Sequence, residues 1–226
     1  PRISLKSINL QETNLSCGDK NFFPFSLYSK RKPFNQMPCY SVNTNLKTHT
    51  IINNNLKTSA MFSGKIKGVG PRYCPSIEDK VFKFKNRPSH HLFLEPEWLG
   101  SDQVYVNGFS TSLPKKIQIE ALSSVPALKK VKFIRPGYAI EYDVVPPREL
   151  KASLESKKIN GLFLAGQING TSGYEEAAAQ GLLAGINTVN YIKKEAPLVL
   201  KRSESYIGVM IDDLITKSIN EPYRMF

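Results

Sequence analysis

"GLFLAGQINGTSGYEEAAAQGLLAG", Gly161 to Gly185, is the stretch on which the reading of this chain turns. Leu162, Phe163 and Leu164 predict a short buried strand. Gly166 through Gly173 supply a turn in which Gly166, Gly170 and Gly173 are free to take positive φ. Glu175 and Glu176 suit the first turn of a helix, where unpaired backbone N–H groups carry partial positive charge. Ala177, Ala178, Ala179, Gly181, Ala184 and Gly185 then give that helix a face with almost no side chain. Two uses fit such a unit: close packing of the helix on a sheet, or a flat ligand lying against the helix N-terminus. Gln167 and Asn169 weigh toward the ligand, because amides in the turn both donate to and accept from the edge of a heterocycle. The G-x-G-x-x-G loop that cradles a pyrophosphate occurs nowhere in the chain.

With 226 residues and 41% hydrophobic content, the chain can bury a core as one large domain or two small ones. It contains no run of 18 apolar residues, so no membrane span is expected, and its first residues do not read as a signal peptide. A start at Pro1 and an end in "EPYRMF" read as an excerpt of a longer polypeptide. Cys17, Cys39 and Cys74 are odd in number and unrelated in spacing, which argues against a disulfide framework or zinc site and fits a cytoplasmic protein. The net charge of +12 is uneven: residues 1–69 hold ten Lys and Arg against Glu12 and Asp19, while 70–226 hold 21 against 17 acids. Such a field attracts phosphate backbones, or is simply a solvated basic surface. No aromatic–basic motif of an RNA-binding module stands out.

Residues 1–60 read as loops and short strands with one helix near Thr48–Leu56. "HHLFLEPEW" and "QVYVNGFSTSL" predict a pair of strands, and "KKIQIEALSSVPAL" a helix ending near Pro126. "KKVKFIRPGYAIEYDVV" predicts strand, turn and strand, closed by Pro146 and Pro147. Ile207, Met210, Ile211, Leu214 and Ile215 recur at helical spacing. In "GVGPRYCPSIEDKVFKF", Ser76 with Asp79 three residues on resembles a capping box, so a helix starts near Ile77. Cys74, just before that helix and two residues from Arg72, is either a thiol with depressed pKa or a buried structural cysteine. His49, His90 and His91 have no ligand-spaced companions, and no nucleophile elbow or carboxylate pair appears, which disfavours hydrolysis.

"GPRYCPSIEDKVFKF", "LEPEW", "GFSTSLP", "RPGYAIEYD", the opening stretch and "EPYRMF" occur here in the order in which a known family carries them. Over nearly all of residues 36–226 the chain resembles MnmG, or GidA, the bacterial tRNA uridine 5-carboxymethylaminomethyl modification enzymes. Residues 1–35 match less well beyond "PRI".

The resemblance implies a mixed α/β fold: an inserted α+β domain, then the returning strand–turn–helix part of a Rossmann-type FAD-binding domain. The expected boundaries are 1–145 for the inserted NAD and substrate domain, 146–190 for the FAD-domain part and 191–226 for the start of a helical region. It implies FAD reduced by NADH, and an aminomethyl-type group placed on C5 of the wobble uridine of tRNA. The carbon comes from 5,10-methylenetetrahydrofolate and the GTPase MnmE is the partner, in a cytoplasmic homodimer. It assigns NAD to Gly70, Pro71, Arg72, Tyr73, Cys74, Pro75, Ser76, Ile77, Glu78, Asp79, Lys80, Val81, Phe82, Lys83 and Phe84. Cys74 would be catalytic, as nucleophile or as acid/base group on the uracil ring. Gln167 would contact FAD, with Gly166, Asn169 and Gly173 of the same turn beside it. The family's G-x-G-x-x-G half, its first catalytic cysteine region and most of its C-terminal helical domain have no counterpart in these residues, so this piece alone is expected to bind FAD poorly. Two other readings remain: a tRNA- or partner-binding piece without catalysis of its own, and a flavin oxidoreductase acting on a small metabolite.

Overall fold

The computed structural model describes residues 1–19, 24, 26, 28, 29, 36–64, 66, 75–217 and 221–225. The chain forms two compact units, one of residues 1–66 with 75–139, the other of 67–74 with 140–226.

Among the described residues the first unit holds six strands: β1 (Arg2–Ser4), β2 (Asn14–Ser16), β3 (Cys39–Asn43), β4 (His91–Pro96), β5 (Gln103–Asn107) and β6 (Phe133–Arg135). They lie in the order β2-β3-β4-β5-β1-β6, every neighbouring pair antiparallel. The fold class is mixed α/β, as expected. β4 and β5 are the predicted pair, in a register that sets Leu94 opposite Val106. Alternation puts Leu92, Leu94, Val104 and Val106 on one face, where they are buried, while His91, Phe93 and Asn107 take the other. On that outer face Arg2 bonds Glu97 at 3.0 Å and lies 4.8 Å from the centre of the Tyr105 ring.

Among the described residues this unit holds three α-helices: α1 (Leu46–Asn54), α2 (Ile77–Lys83) and α3 (Lys115–Ser123). Ile52, Ile77, Val81, Ala121 and Leu122 join the core that the sheet residues form. Both α1 and α2 start in capping boxes. Asn45 accepts from the Thr48 amide, and Ser76 accepts from the Asp79 amide while the Asp79 carboxylate accepts from the Ser76 amide.

The predicted strand–turn–strand over 129–145 is only half present: β6 forms, but residues 136–146 join no ladder. Pro136 lacks an N–H, and the Gly137 amide and carbonyl are both taken by the buried Gln118 side chain, at 2.8 and 2.9 Å. The backbone groups that would pair with a strand are spent on an amide from α3.

The second unit is held by α4 (Tyr174–Lys193), α5 (Tyr206–Thr216) and irregular segments around Leu150, Leu154, Leu183, Ala184, Met210, Ile211 and Leu214. Asn187 of α4 clamps the chain on either side of itself, donating to the Ser153 and Leu198 carbonyls and accepting from the Leu198 amide at 2.7 Å. Gly208 lets α5 start against the backbone: a Cβ there would lie 2.2 Å from the Lys201 carbonyl oxygen. Asp213 receives Arg202, Lys217 and the Tyr223 hydroxyl. Burial works to raise its pKa, but those donors together hold it below the usual aspartate value. Burial and the Asp213 charge push Tyr223 up to about 12.

Buried His49 and His90 lie against each other in the first unit, ring centroids 5.1 Å apart and planes tilted by 34°. They are bridged by Thr44, whose hydroxyl lies 2.7 Å from His49 Nε2 and accepts the His90 amide. Burial lowers the pKa of both, and at His90 the His49, Lys80 and Arg87 charges lower it further. The folded protein therefore holds fewer protons than the unfolded chain just below pH 6.5, so stability is full above that value and falls as pH drops through the lowered values. Thermal melts from pH 7.5 to 5 will show this loss, and His49→Gln will flatten it.

Candidate functional site in the turn before α4

The stretch 161–173 does not form the predicted strand. Phe163 makes one bridge to Glu155, Leu162 is 37% exposed, and Leu164 donates to the Leu154 carbonyl. A short irregular hairpin with 154–156 replaces it, because among the described residues of this unit no extended strand runs alongside.

The turn itself forms. Residues Gly166–Asn169 make one turn of 3-10 helix, with Gly166 at φ 84° and Gly170 at φ 76°, conformations that favour glycine. Gly173 differs from expectation: it caps α4 at φ −107°, and the position a Cβ would take is filled by the Glu176 carboxylate. Gly173 provides no side-chain cap, and Glu176 folds back over the helix start while accepting the Met225 amide at 2.7 Å.

One buried side chain organises the turn. Gln180 Oε1 accepts from the Gly166 amide at 3.1 Å and from Asn169 Nδ2 at 2.8 Å, and Gln180 Nε2 donates to Thr171 Oγ1 at 3.0 Å. Asn169 Nδ2 also donates to the Leu164 carbonyl. From the far end of the chain Tyr223 straps the turn, its amide donating to Gly170 and its carbonyl accepting from Ser172.

After these bonds, Gln167 Nε2, Asn169 Oδ1 and Glu176 Oε2 stay buried with no partner among the described residues. One donor and two acceptors thus sit within ten residues of chain, two of them in side chains that are almost wholly buried. Native proteins leave few such atoms unpaired. The turn has the chemistry to meet a heterocycle edge that both accepts and donates.

The small-residue face is a different matter. Ala177 packs 3.5 Å from where a Gly166 Cβ would lie, and Ala184 is in the core. Gly181 and Gly185 have no described atom within 4 Å of a built Cβ. The side of α4 that faces inward carries Glu176, Gln180, Leu183, Ala184 and Asn187. Gln180, Thr171, Tyr223 and Met225 are absent from the sequence reading of the site. A signal for Gln180 existed, one amide four residues after Glu176 in a run of alanines.

Of the other predicted residues, Gly70, Pro71, Arg72, Tyr73 and Cys74 lie outside the described residues. Pro75–Phe84 fall in the other unit. There Ser76 and Asp79 are spent on the cap, buried Glu78 accepts from the Ser112 amide at 2.9 Å, and Lys80 donates to the Gly108 carbonyl. Only Phe82, Lys83 and Phe84 of this helix end are open to solvent.

A profile of the family described as Glucose inhibited division protein A matches residues 1–196. The chain belongs to the GidA family. A Campylobacter fetus protein named tRNA uridine 5-carboxymethylaminomethyl modification enzyme MnmG is 56% identical over the whole chain, and one of the same name from Thermodesulfovibrio yellowstonii is 57% identical. The chain spans 36% of the length of each. The crystal structure of Aquifex aeolicus GidA superposes with a TM-score of 0.85 at 50% identity, covering 99% of this chain and 38% of that one. Among the described residues no helix is long and apolar enough to cross a membrane.

Gln180→Leu keeps the volume but orphans the Gly166 amide and the Thr171 hydroxyl, at about 1–3 kcal/mol for each buried group. Denaturant unfolding will show the loss, and hydrogen exchange will show the Gly166 and Gly170 amides opening first.

Proposed function

We propose that the protein acts in FAD- and NADH-dependent modification of tRNA, adding an aminomethyl or carboxymethylaminomethyl group at C5 of the wobble uridine. In this reading 5,10-methylenetetrahydrofolate supplies the carbon, the GTPase MnmE is the partner, and the enzyme is a cytoplasmic homodimer. Family membership supports it, and the orphaned amides of the turn carry it: Gln167 and Asn169 present a donor and an acceptor with no partner among the described residues.

The residues present fit the edge of a flavin ring. When bound, FAD supplies the reversible hydride chemistry. The chain's own residues bind and orient. Gln167 Nε2 donates to a ring oxygen or nitrogen, Asn169 Oδ1 accepts from a ring N–H, and Gly166 with Gly170 keeps the turn free of side chains where the ring approaches. Gln180 positions Asn169. Gly173 stands beside the Glu176 carboxylate, which disfavours an anion at that point, so the pyrophosphate is held by residues other than these. No G-x-G-x-x-G loop occurs within these 226 residues. We assign 1–145, 146–190 and 191–226 to the inserted domain, the FAD-domain part and the start of a helical region.

For the nicotinamide nucleotide the assignment of Gly70–Phe84 rests on the family resemblance. At the start of α2 Ser76, Asp79, Lys80 and Glu78 Oε1 are turned to protein partners, while Glu78 Oε2 is buried with no partner among the described residues. Cys74 acts on the uracil ring as nucleophile or acid/base group.

In the full-length protein, Cys74→Ser will abolish wobble-uridine modification in tRNA nucleoside digests while the flavin spectrum stays intact. Gln167→Ala will weaken FAD retention by about tenfold, as expected for one lost buried hydrogen bond. Unchanged nucleosides in the Cys74 variant would remove the thiol from the mechanism.

A further inference from the structure

The run from Lys80 to His90 contains Lys80, Lys83, Lys85 and Arg87 and no acid. Every residue from Phe82 to Ser89 is exposed. Ile77 and Val81, four apart, anchor α2 in the core, so Phe82 is turned roughly 100° away from it and Phe84 follows at the helix end. Phe82 is 45% and Phe84 49% exposed.

The two rings are arranged rather than loose. Phe62 meets Phe82 edge-on at 5.6 Å, Lys85 Nζ lies 5.0 Å from the centre of the Phe82 ring, and the Arg87 guanidinium lies 5.4 Å from that of Phe84. Among the described residues none of Lys83, Lys85 and Arg87 forms an ion pair. Alternating half-open aromatic rings and cations that meet no acid among the described residues match a nucleic-acid strand with splayed bases, whose flat faces and phosphates recur in the same alternation. An acidic protein would use the cations and leave the rings unexplained. A dinucleotide gathers its charge in one pyrophosphate between two bases, whereas the cations here are spread along Lys83, Lys85 and Arg87, between and beyond the rings.

We propose that Phe82 and Phe84 form a stacking platform for unpaired RNA bases, with Lys83, Lys85 and Arg87 meeting the adjoining phosphates. This rests on the reading that the substrate is an RNA nucleotide, and it removes Phe82, Lys83 and Phe84 from the nicotinamide-nucleotide stretch. Lys85 and Arg87 swing from ring to phosphate when a base stacks.

The test uses the chain with a fluorescently labelled RNA hairpin bearing a seven-nucleotide unpaired loop, and a loopless RNA duplex of equal length. Phe82→Ala with Phe84→Ala will raise the hairpin dissociation constant at least tenfold, since each lost stack is worth roughly 5- to 160-fold. Duplex affinity and the salt slope will not change. Lys85→Gln with Arg87→Gln will reduce the slope of log affinity against log salt by about 1.4. Because Phe82 touches Phe62, Phe84→Trp gives a second readout: hairpin will quench its emission above the background of Trp98. Native hairpin affinity in a folded double-alanine variant overturns the proposal. So do equal losses for hairpin and duplex, no hairpin binding by the chain, or quenching of the Phe84→Trp variant by NADH in place of RNA. Nucleoside digests score the modification reading separately, so either idea can fail while the other stands.

Discussion

The Gln180 carboxamide is the one group that the turn before α4 depends on. Its oxygen gathers the Gly166 amide and the Asn169 side chain, and its nitrogen holds Thr171. In a buried setting these bonds are mutually required, because loss of any partner leaves a polar group without water or protein to meet it. Geometry follows from that requirement. Gly166 and Gly170 take positive φ, Gln167 is carried along between them, and the Tyr223 strand-like strap closes over Gly170 and Ser172. Among the described residues this network leaves Gln167 Nε2, Asn169 Oδ1 and Glu176 Oε2 without a partner.

The first unit solves a simpler problem. An antiparallel sheet with one apolar face needs a cover, and three helices supply it with Ile52, Ile77, Val81, Ala121 and Leu122. Two capping boxes fix where α1 and α2 begin. Since α2 is only two turns long and pinned at Ile77 and Val81, its end projects, and the aromatic and basic residues that follow cannot turn inward.

Legibility in the sequence tracked how local the cause was. Ser76 and Asp79 announced the start of α2, alternation announced β4 and β5, and the spacing of Ile207 to Ile215 announced α5, because caps, pleats and helical faces are set by residues a few positions apart. The predicted strand at Leu162–Leu164 failed for a non-local reason: a strand exists only beside a partner, and one bridge to Glu155 is what it finds. Residues 136–146 failed likewise: the Gly137 backbone is taken by Gln118 from another element, and the Val145 amide by the Ile168 carbonyl. In the candidate site Gln167 and Asn169 were readable from residue type. The inward turn of Glu176 and Gln180, and the strap from Tyr223, depend on tertiary packing that no window of sequence contains. Phe82 and Phe84 carry no local signal that sets them outside the core; their exposure follows from how Ile77 and Val81 seat the helix.

The most direct measurement is a crystal structure of the flavin-loaded, full-length protein. The account predicts Gln167 Nε2 and Asn169 Oδ1 within about 2.7–3.2 Å of polar atoms on one edge of the isoalloxazine ring. A ring bound elsewhere, with both amides paired to protein groups, would contradict it.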